Sequence, residues 1–353
     1  MHHCRGAVHQ DALYDPLNPT PRLRVTASPP NHASWPSIQT LMTQPSNALL
    51  TEYDLGPPLA FKGIAEGVQN SNFLLETRKG RYILTVFERQ VKKEDLPFFM
   101  GMMGHLASKG FPAPLPVPAK DGNPLREIHG KPAVICTFLQ GMSPRRPDID
   151  QCRALGQALG RFHVALGDFR MRRLNNLSIG SWPVMFAGRE AEADALSPGL
   201  ASQVAGDLDF LKANWPKTLP GGAIHADLFP DNTFFLDGKL SGVIDFYFAC
   251  SDFLAYDIAV CLNAWCFERR GEYNLTKGRA LISSYETVRR LEPRERSALP
   301  TLARGAAMRF FLTRLVDLAA TPKDALVKPH NPLDYAERLG FHRQAKSPED
   351  YGA

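Results

Sequence analysis

Between Gly222 and Tyr256 the chain reads GAIHADLFPDNTFFLDGKLSGVIDFYFACSDFLAY, and this stretch constrains the fold more tightly than any other. The apolar pair Ala223–Ile224 runs into a short polar loop that carries Asp227 and Asn232. Phe234 to Leu236 then reads as a short strand. Asp237–Gly238 is the two-residue turn that joins antiparallel strands, and Leu240 to Ile244 is a second strand that delivers Asp245 at its end. A hairpin of this kind returns Asn232 and Asp245 to one end of the sheet. One carboxylate that can accept a proton and two oxygen ligands for a hard cation then come from a single short segment. Magnesium favours a few oxygen ligands completed by substrate phosphates. Phosphoryl transfer needs positioning, charge neutralisation and a group to receive the hydroxyl proton.

The rest of the composition permits this chemistry and excludes others. The chain has 353 residues, 44% hydrophobic and 22% charged, enough for two lobes with separate cores. A net charge of +5, without a run of Lys and Arg, gives no nucleic-acid surface. Six cysteines occur with no C-x-x-C pair, mostly in apolar segments. That favours a reducing, cytoplasmic setting over a disulfide framework. No apolar run reaches membrane-spanning length. Residues 1–41 are rich in Pro, Asn, Ser and His without a period, and are expected to be a disordered extension, with Met42 an alternative start.

Periodicity places the remaining elements. Phe61–Ile64, Asn72–Thr77 and Arg81–Glu88 are expected strands. Leu96, Phe99, Met100, Met103 and Leu106 repeat at helical spacing up to Gly110, and the prolines at 112, 114, 116 and 118 enforce an extended exit. Ala133–Leu139 is an apolar strand. Beyond it, Asp148 or Asp150 can cap a helix through Leu166. Leu200–Trp215, Asp257–Phe267, Thr276–Val288 and Leu299–Leu318 are further expected helices, and residues 346–353 a tail. Gly63 and Gly67, with Asn70 and Ser71, sit between two strands, where backbone N–H groups can approach phosphate oxygens.

The spacing of His225, Asp227 and Asn232, followed by Ile244-Asp245-Phe246, resembles the H-x-D-x-x-x-x-N and I-D-[FW] pattern of the aminoglycoside-phosphotransferase branch of the protein-kinase-like phosphotransferases. GIAEGVQNSNFLLET, YILTVFE, AVICTFLQG and IDFYFACSDFLAYDIAVCLNAWCF look like its homoserine kinase subgroup, and the resemblance runs from about Met42 to the C-terminus. It implies an α+β, two-lobed kinase-like fold. A small antiparallel-sheet lobe, residues 42–140, would bind nucleotide, and a mainly helical lobe, 141–345, would carry catalysis and the acceptor. It implies ATP-dependent phosphorylation of the side-chain hydroxyl of L-homoserine, with Asp227 as base and Asn232 and Asp245 holding Mg2+. Backbone groups of Thr137, Phe138 and Leu139 would bind adenine. His225 would brace the loop, and Asp257 would cap a helix and hold that loop.

The sequence departs from the wider family at the third strand. Thr85 stands where a phosphate-binding Lys or Arg is usual, and the position of its glutamate partner falls near Phe99. Arg89, Lys92 and Lys93 are the candidate replacements. Arg309 and Arg314, on an otherwise apolar helix, are candidates for the acceptor carboxylate. Asp252 and Asn263 are candidates for its ammonium, and Tyr247, Tyr256 and Trp265 for pocket walls. His163 reads as a packed core histidine. The partner expected is a small amino-acid substrate, with no nucleic acid or membrane. Three rival readings stay open at this point. One keeps the chemistry with choline, ethanolamine, methylthioribose or an aminoglycoside as acceptor. The others are a degenerate nucleotide-binding homologue and a metal-dependent hydrolase.

Overall fold

The path of the chain divides it into two units. One takes the described residues up to Arg145 together with Asp231–Tyr247; the other takes the described residues of Arg146–Pro230 and Phe248–Ala353. The computed structural model describes residues 49–64, 70–87, 91–269, 271–321 and 329–353. The extension at 1–41, Gly67 and Arg89 lie outside the described residues.

The first unit is built on alternation. Strands β1 (Pro58–Ile64), β2 (Asn70–Thr77) and β3 (Gly80–Phe87) pair antiparallel in sequence order. Helix α1 (Leu96–Ser108) follows, with a proline in its first turn and Gly110 beyond its end at φ 71°. The proline-rich exit then runs beside the sheet, Val117 N–H donating to Ile135 O over 2.8 Å. Strand β4 (Leu125–Ile128) and strand β5 (Lys131–Thr137) complete a five-stranded sheet in the order β1-β2-β3-β5-β4. β4 has too little apolar alternation to be expected from sequence; the His129–Gly130 turn, at φ 50° and 75°, folds it back onto β5. Phe73, Leu75, Leu84, Val86, Ala133 and Ile135 point to one face and form the core. Truncating Ile135 there to alanine costs about 2–5 kcal/mol.

The second unit opens with α2 (Ile149–Ala165). Asp148 accepts from Gln151 N over 2.7 Å while Gln151 accepts from Asp148 N over 3.0 Å, a reciprocal cap that selects Asp148 over Asp150. Helices α3 (Trp182–Phe186), α4 (Glu190–Leu196) and α5 (Leu200–Asn214) lead to strand β6 (Gly221–Ile224). The chain enters the first unit for the hairpin of β7 (Thr233–Leu236) and β8 (Lys239–Val243). It returns as β9 (Cys250–Phe253), antiparallel to β6. Helices α6 (Leu254–Trp265), α7 (Leu275–Glu286), α8 (Pro293–Ala320) and α9 (Leu333–Gln344) finish the unit.

Three expectations change here. Helix α6 starts three residues before Asp257, so Asp257 lies inside its first turn and does not cap it. The capping position falls to Phe253 because β9 leads directly into the helix. The last residues are not a loose tail: Tyr351 is fully buried and its hydroxyl stands 2.7 Å from His342 Nδ1. Helix α8 is longer than its apolar period, running through Pro300.

Candidate functional site

The loop after β6 is held by side chains from distant helices. Asp257 Oδ2 accepts from His225 N over 2.8 Å, and Oδ1 accepts from Ala226 N over 2.7 Å. Ala226 takes φ 63°, a left-handed conformation that costs a non-glycine residue about 1–3 kcal/mol unless its surroundings enforce it. Two hydrogen bonds to one carboxylate enforce it here. Arg309 Nη1 donates to Ala226 O, so this residue is gripped at its N–H and its C=O. Arg309 Nη2 stands 4.0 Å from Asp227 Oδ1. The loop also braces itself: Asp227 N–H donates to His225 Nδ1 over 3.3 Å. Trp265 Nε1 donates to Leu228 O over 2.8 Å. Burial alone would raise the pKa of Asp257; the His163 hydrogen bond and the neighbouring His163 and His225 outweigh it, so the carboxyl lies below the usual range.

The hairpin of the first unit takes its shape from its own turn and register, and remote backbone flanks it: Phe235 exchanges hydrogen bonds with Met142, and Val243 N–H donates to Pro112 O over 2.9 Å. Asp237 and Gly238, at φ 50° and 73°, make the tight turn, and Leu236 pairs with Lys239. Thr233 pairs with Val243, and Ile244 N–H donates to Asn232 O over 2.9 Å. Asn232 and Asp245 therefore reach the same end of the hairpin, both buried. Asp245 has φ 64°, the second left-handed functional candidate. Among the described residues no group of three or more His, Cys, Asp and Glu gathers as a metal cage. An amide oxygen and a carboxylate suit instead a hard cation that keeps waters and phosphate oxygens, so the donor set fits Mg2+.

Asp245 also lines an open cavity within the first unit, about 480 Å³ with the solvent at its mouth included. Its walls include Asn72, Thr85, Thr137, Leu139, Phe246 and Tyr247, and no lysine or arginine among the described lining residues. Thr85 Oγ1 donates to Asn72 Oδ1 over 2.7 Å, both buried. Phe99 meets Tyr247 edge-on at 5.6 Å. A neutral hydrogen bond and an aromatic contact thus occupy the positions where the wider family's ion pair was expected. The burial of an unpaired charge is avoided. Lys93 pairs with Glu127 at the surface over 2.9 Å and does not line the cavity. Lys92 does not line the cavity.

The expected nucleotide and acceptor residues divide. Thr137 and Leu139 line the cavity with Asp245; Phe138 does not, and Arg81 lies over its ring at 5.4 Å. The N–H groups of Thr137 and Phe138 are already spent on Leu115 O and Arg81 O. Gly63, Asn70 and Ser71 sit in the paired ends of β1 and β2 and are not among the cavity walls. Arg309 reaches Asp227, whereas Arg314 ties α8 to α9 through Asp334 over 2.8 Å. Asn263 spends its amide on Ala259 O and Ala303 O and its oxygen on His342. Asp252 accepts from Asn175 over 2.7 Å; burial raises its pKa against that hydrogen bond. Tyr256 packs edge-on to Trp215 at 5.9 Å. Sequence reasoning missed the grip of Arg309 on Ala226, because nothing local marks a contact across so long a separation.

The model of the phosphotransferase enzyme family matches residues 60–293. A homoserine kinase of Xanthobacter autotrophicus is 57% identical over 305 residues, covering 86% of this chain and 95% of that relative. One from Hyphomonas neptunium is 58% identical over 313 residues, with the same two shares. Among solved structures, an amicoumacin kinase in complex with AMP-PNP and Ca2+ superposes with TM-score 0.63 at 16% identity, covering 88% of this chain and 92% of that one. A spectinomycin phosphotransferase in complex with ADP gives 0.62 at 10% identity, covering 87% and 95%. These two likenesses are of fold.

Proposed function

Because the chain belongs to the phosphotransferase enzyme family, we propose that it transfers the γ-phosphoryl group of ATP to the side-chain hydroxyl of L-homoserine, giving O-phospho-L-homoserine for threonine biosynthesis. The observation that carries this reading is the 57% identity to a homoserine kinase across 95% of that relative's length. In the reaction the acceptor oxygen bonds to phosphorus, the bond from phosphorus to the β,γ-bridging oxygen breaks, and its electron pair leaves with ADP. The acceptor proton passes to Asp227, which also orients the hydroxyl. A loose transition state asks little basicity of this carboxylate and much of its placement. The double grip on Ala226 supports that placement.

Asn232 and Asp245 would hold Mg2+. A cation held by these two residues would supply positive charge to offset that of the nucleotide phosphates. The nucleobase would enter the cavity beside Thr137 and Leu139, meeting strand carbonyls and Leu139 rather than the N–H groups of Thr137 and Phe138. Gly63, Gly67, Asn70 and Ser71 would approach the phosphates. Arg309 would draw the acceptor carboxylate, and Asp252 its ammonium. Arg314 and Asn263, committed to α9 and to the helix core, are left out of the acceptor site. Five described cysteines are buried and unbridged, which supports a cytoplasmic setting.

The test is acceptor-dependent ADP formation with magnesium-ATP across L-homoserine, D-homoserine, L-serine, L-threonine, choline, methylthioribose and kanamycin. Selective turnover of L-homoserine is expected. Preference for another member would overturn the acceptor, and no acceptor-stimulated turnover would overturn the reaction.

A further inference from the structure

Asp257 is the inner end of a longer buried chain of hydrogen bonds. Helix packing builds it. Gly156 and Gly160 let α2 press against α7: a Cβ at Gly156 would stand 2.1 Å from Leu281 O, and one at Gly160 2.8 Å from Val288 Cβ. This close approach brings His163 to Tyr285, with Nδ1 at 2.8 Å from the hydroxyl. His163 Nε2 stands 3.2 Å from Asp257 Oδ2. On the far side Arg289 Nη1 lies 3.0 Å from the Tyr285 hydroxyl, and Nη2 lies 2.9 Å from both oxygens of Glu295. Glu295 is fully buried in the first turn of α8, where it also accepts from Glu292 N over 3.0 Å.

With His163 neutral, the donors and acceptors of each group set the direction of each bond. An ionised carboxylate only accepts, so His163 Nε2 carries the hydrogen that faces Asp257. In the neutral imidazole Nδ1 is then an acceptor, and the Tyr285 hydroxyl donates to it. A guanidinium only donates, so Arg289 gives a hydrogen to the Tyr285 oxygen. From Arg289 inward each group donates to the next, and the chain ends on the carboxylate that holds the N–H groups of His225 and Ala226.

We propose that His163 and Tyr285 are positioning residues of the phosphotransfer reaction. They hold in place the imidazole that supports Asp257, and through Asp257 they set where the Asp227 carboxylate stands. Helix α8 then holds Ala226 from both sides. Glu295 anchors the chain that ends on its N–H, and Arg309 holds its C=O directly. This rests on Asp227 acting as the base.

The experiment is L-homoserine-dependent ADP formation by Tyr285→Phe, His163→Gln and His163→Ala, with thermal midpoints measured alongside. Tyr285→Phe removes one oxygen and keeps the ring. It leaves His163 Nδ1 without its hydroxyl partner, so the ring that donates to Asp257 loses its anchor on α7. Its kcat is expected to fall about tenfold to a hundredfold, the scale of a displaced reacting group, with both KM values within about twofold. His163→Gln can offer an N–H to Asp257 and an oxygen to Tyr285, and is expected to retain more kcat than His163→Ala. Wild-type kcat in Tyr285→Phe, with only the midpoint lowered, would overturn the proposal. So would a raised acceptor KM at unchanged kcat. Asp227→Ala in the same assay separates the two readings: if it keeps its kcat, the assignment of the base has failed, whatever Tyr285→Phe does.

Discussion

The loop at Asp227 and the hairpin that carries Asn232 and Asp245 are consecutive in sequence, yet they are held in different ways. The turn and register of the hairpin are its own: Asp237–Gly238 reverses the chain and Ile244 meets Asn232, while Met142 and Pro112 bond the outer backbone of its strands and not its two ligand residues. The loop is set from afar. The hydrogen bonds on His225 N, Ala226 N and Ala226 O come from residues 32, 31 and 83 positions away. Both deliver a buried carboxylate next to a left-handed backbone step, at Ala226 and at Asp245 itself. A metal-binding pair tolerates local delivery because its geometry is completed by waters and phosphates. A base must stand within hydrogen-bond reach of one hydroxyl, and many remote groups are enlisted to hold it there.

The largest effect that would test this contrast is Asp227→Ala, with kcat expected to fall about a thousandfold in the ADP-release assay. Retention of kcat within about tenfold would break the comparison at its root. Asp257→Ala should lower kcat about a hundredfold, because two backbone N–H groups lose their acceptor and the loop shifts. The midpoint should fall too, since a buried donor without a partner costs about 1–3 kcal/mol. A variant with a lowered midpoint and unchanged kcat would show that remote grip does not place the base. At the hairpin, Gly238→Ala meets no steric obstacle, only the penalty of φ 73°, about 1 kcal/mol. It should raise the apparent Mg2+ requirement a few-fold and leave the acceptor KM alone; a changed acceptor KM would mean that the hairpin does more than present ligands.

Acid sharpens the same contrast more gently. Burial, with Arg338 and Arg304 nearby, pushes His342 down to about 3 from its usual 6.5. The unfolded chain therefore binds the extra proton between those values, and stability is full above pH 6.5 and is lost as pH falls toward 3. The slope is at most about 1.4 kcal/mol per pH unit. His342 bonds Asn263 on α6, the helix that carries Asp257, so the second unit should loosen first. Thermal midpoints from pH 7.5 to 5 should fall less steeply in His342→Gln than in the wild type. Parallel slopes would contradict the assignment.

What the sequence made legible follows the same line. The Asp-Gly turn and the strands that flank it are local patterns, and each appears where the pattern puts it. The strand at Leu125–Ile128 and helix Leu333–Gln344 were not legible, because the first has two charged residues in four and the second has a weak apolar face. Asp257 was expected to hold the loop, and it does; its place inside α6 depends on where β9 ends, which no residue near Asp257 reports. Arg309 was noted as a cation on an apolar face. That its guanidinium reaches Ala226 O, while Arg314 five residues on turns to Asp334, depends on which loop each side of α8 meets. Thr85 was legible as a departure. Its meaning came only with Asn72 at 2.7 Å, a partner on the facing strand.

The most direct measurement is a magnesium titration of L-homoserine-dependent ADP release by Asp245→Asn and Asp227→Asn. If Asp245 holds the metal and Asp227 receives the proton, raising Mg2+ restores part of the kcat of Asp245→Asn and none of that of Asp227→Asn. Recovery of Asp227→Asn by Mg2+, or no response from Asp245→Asn at any concentration, would contradict the division of roles between loop and hairpin.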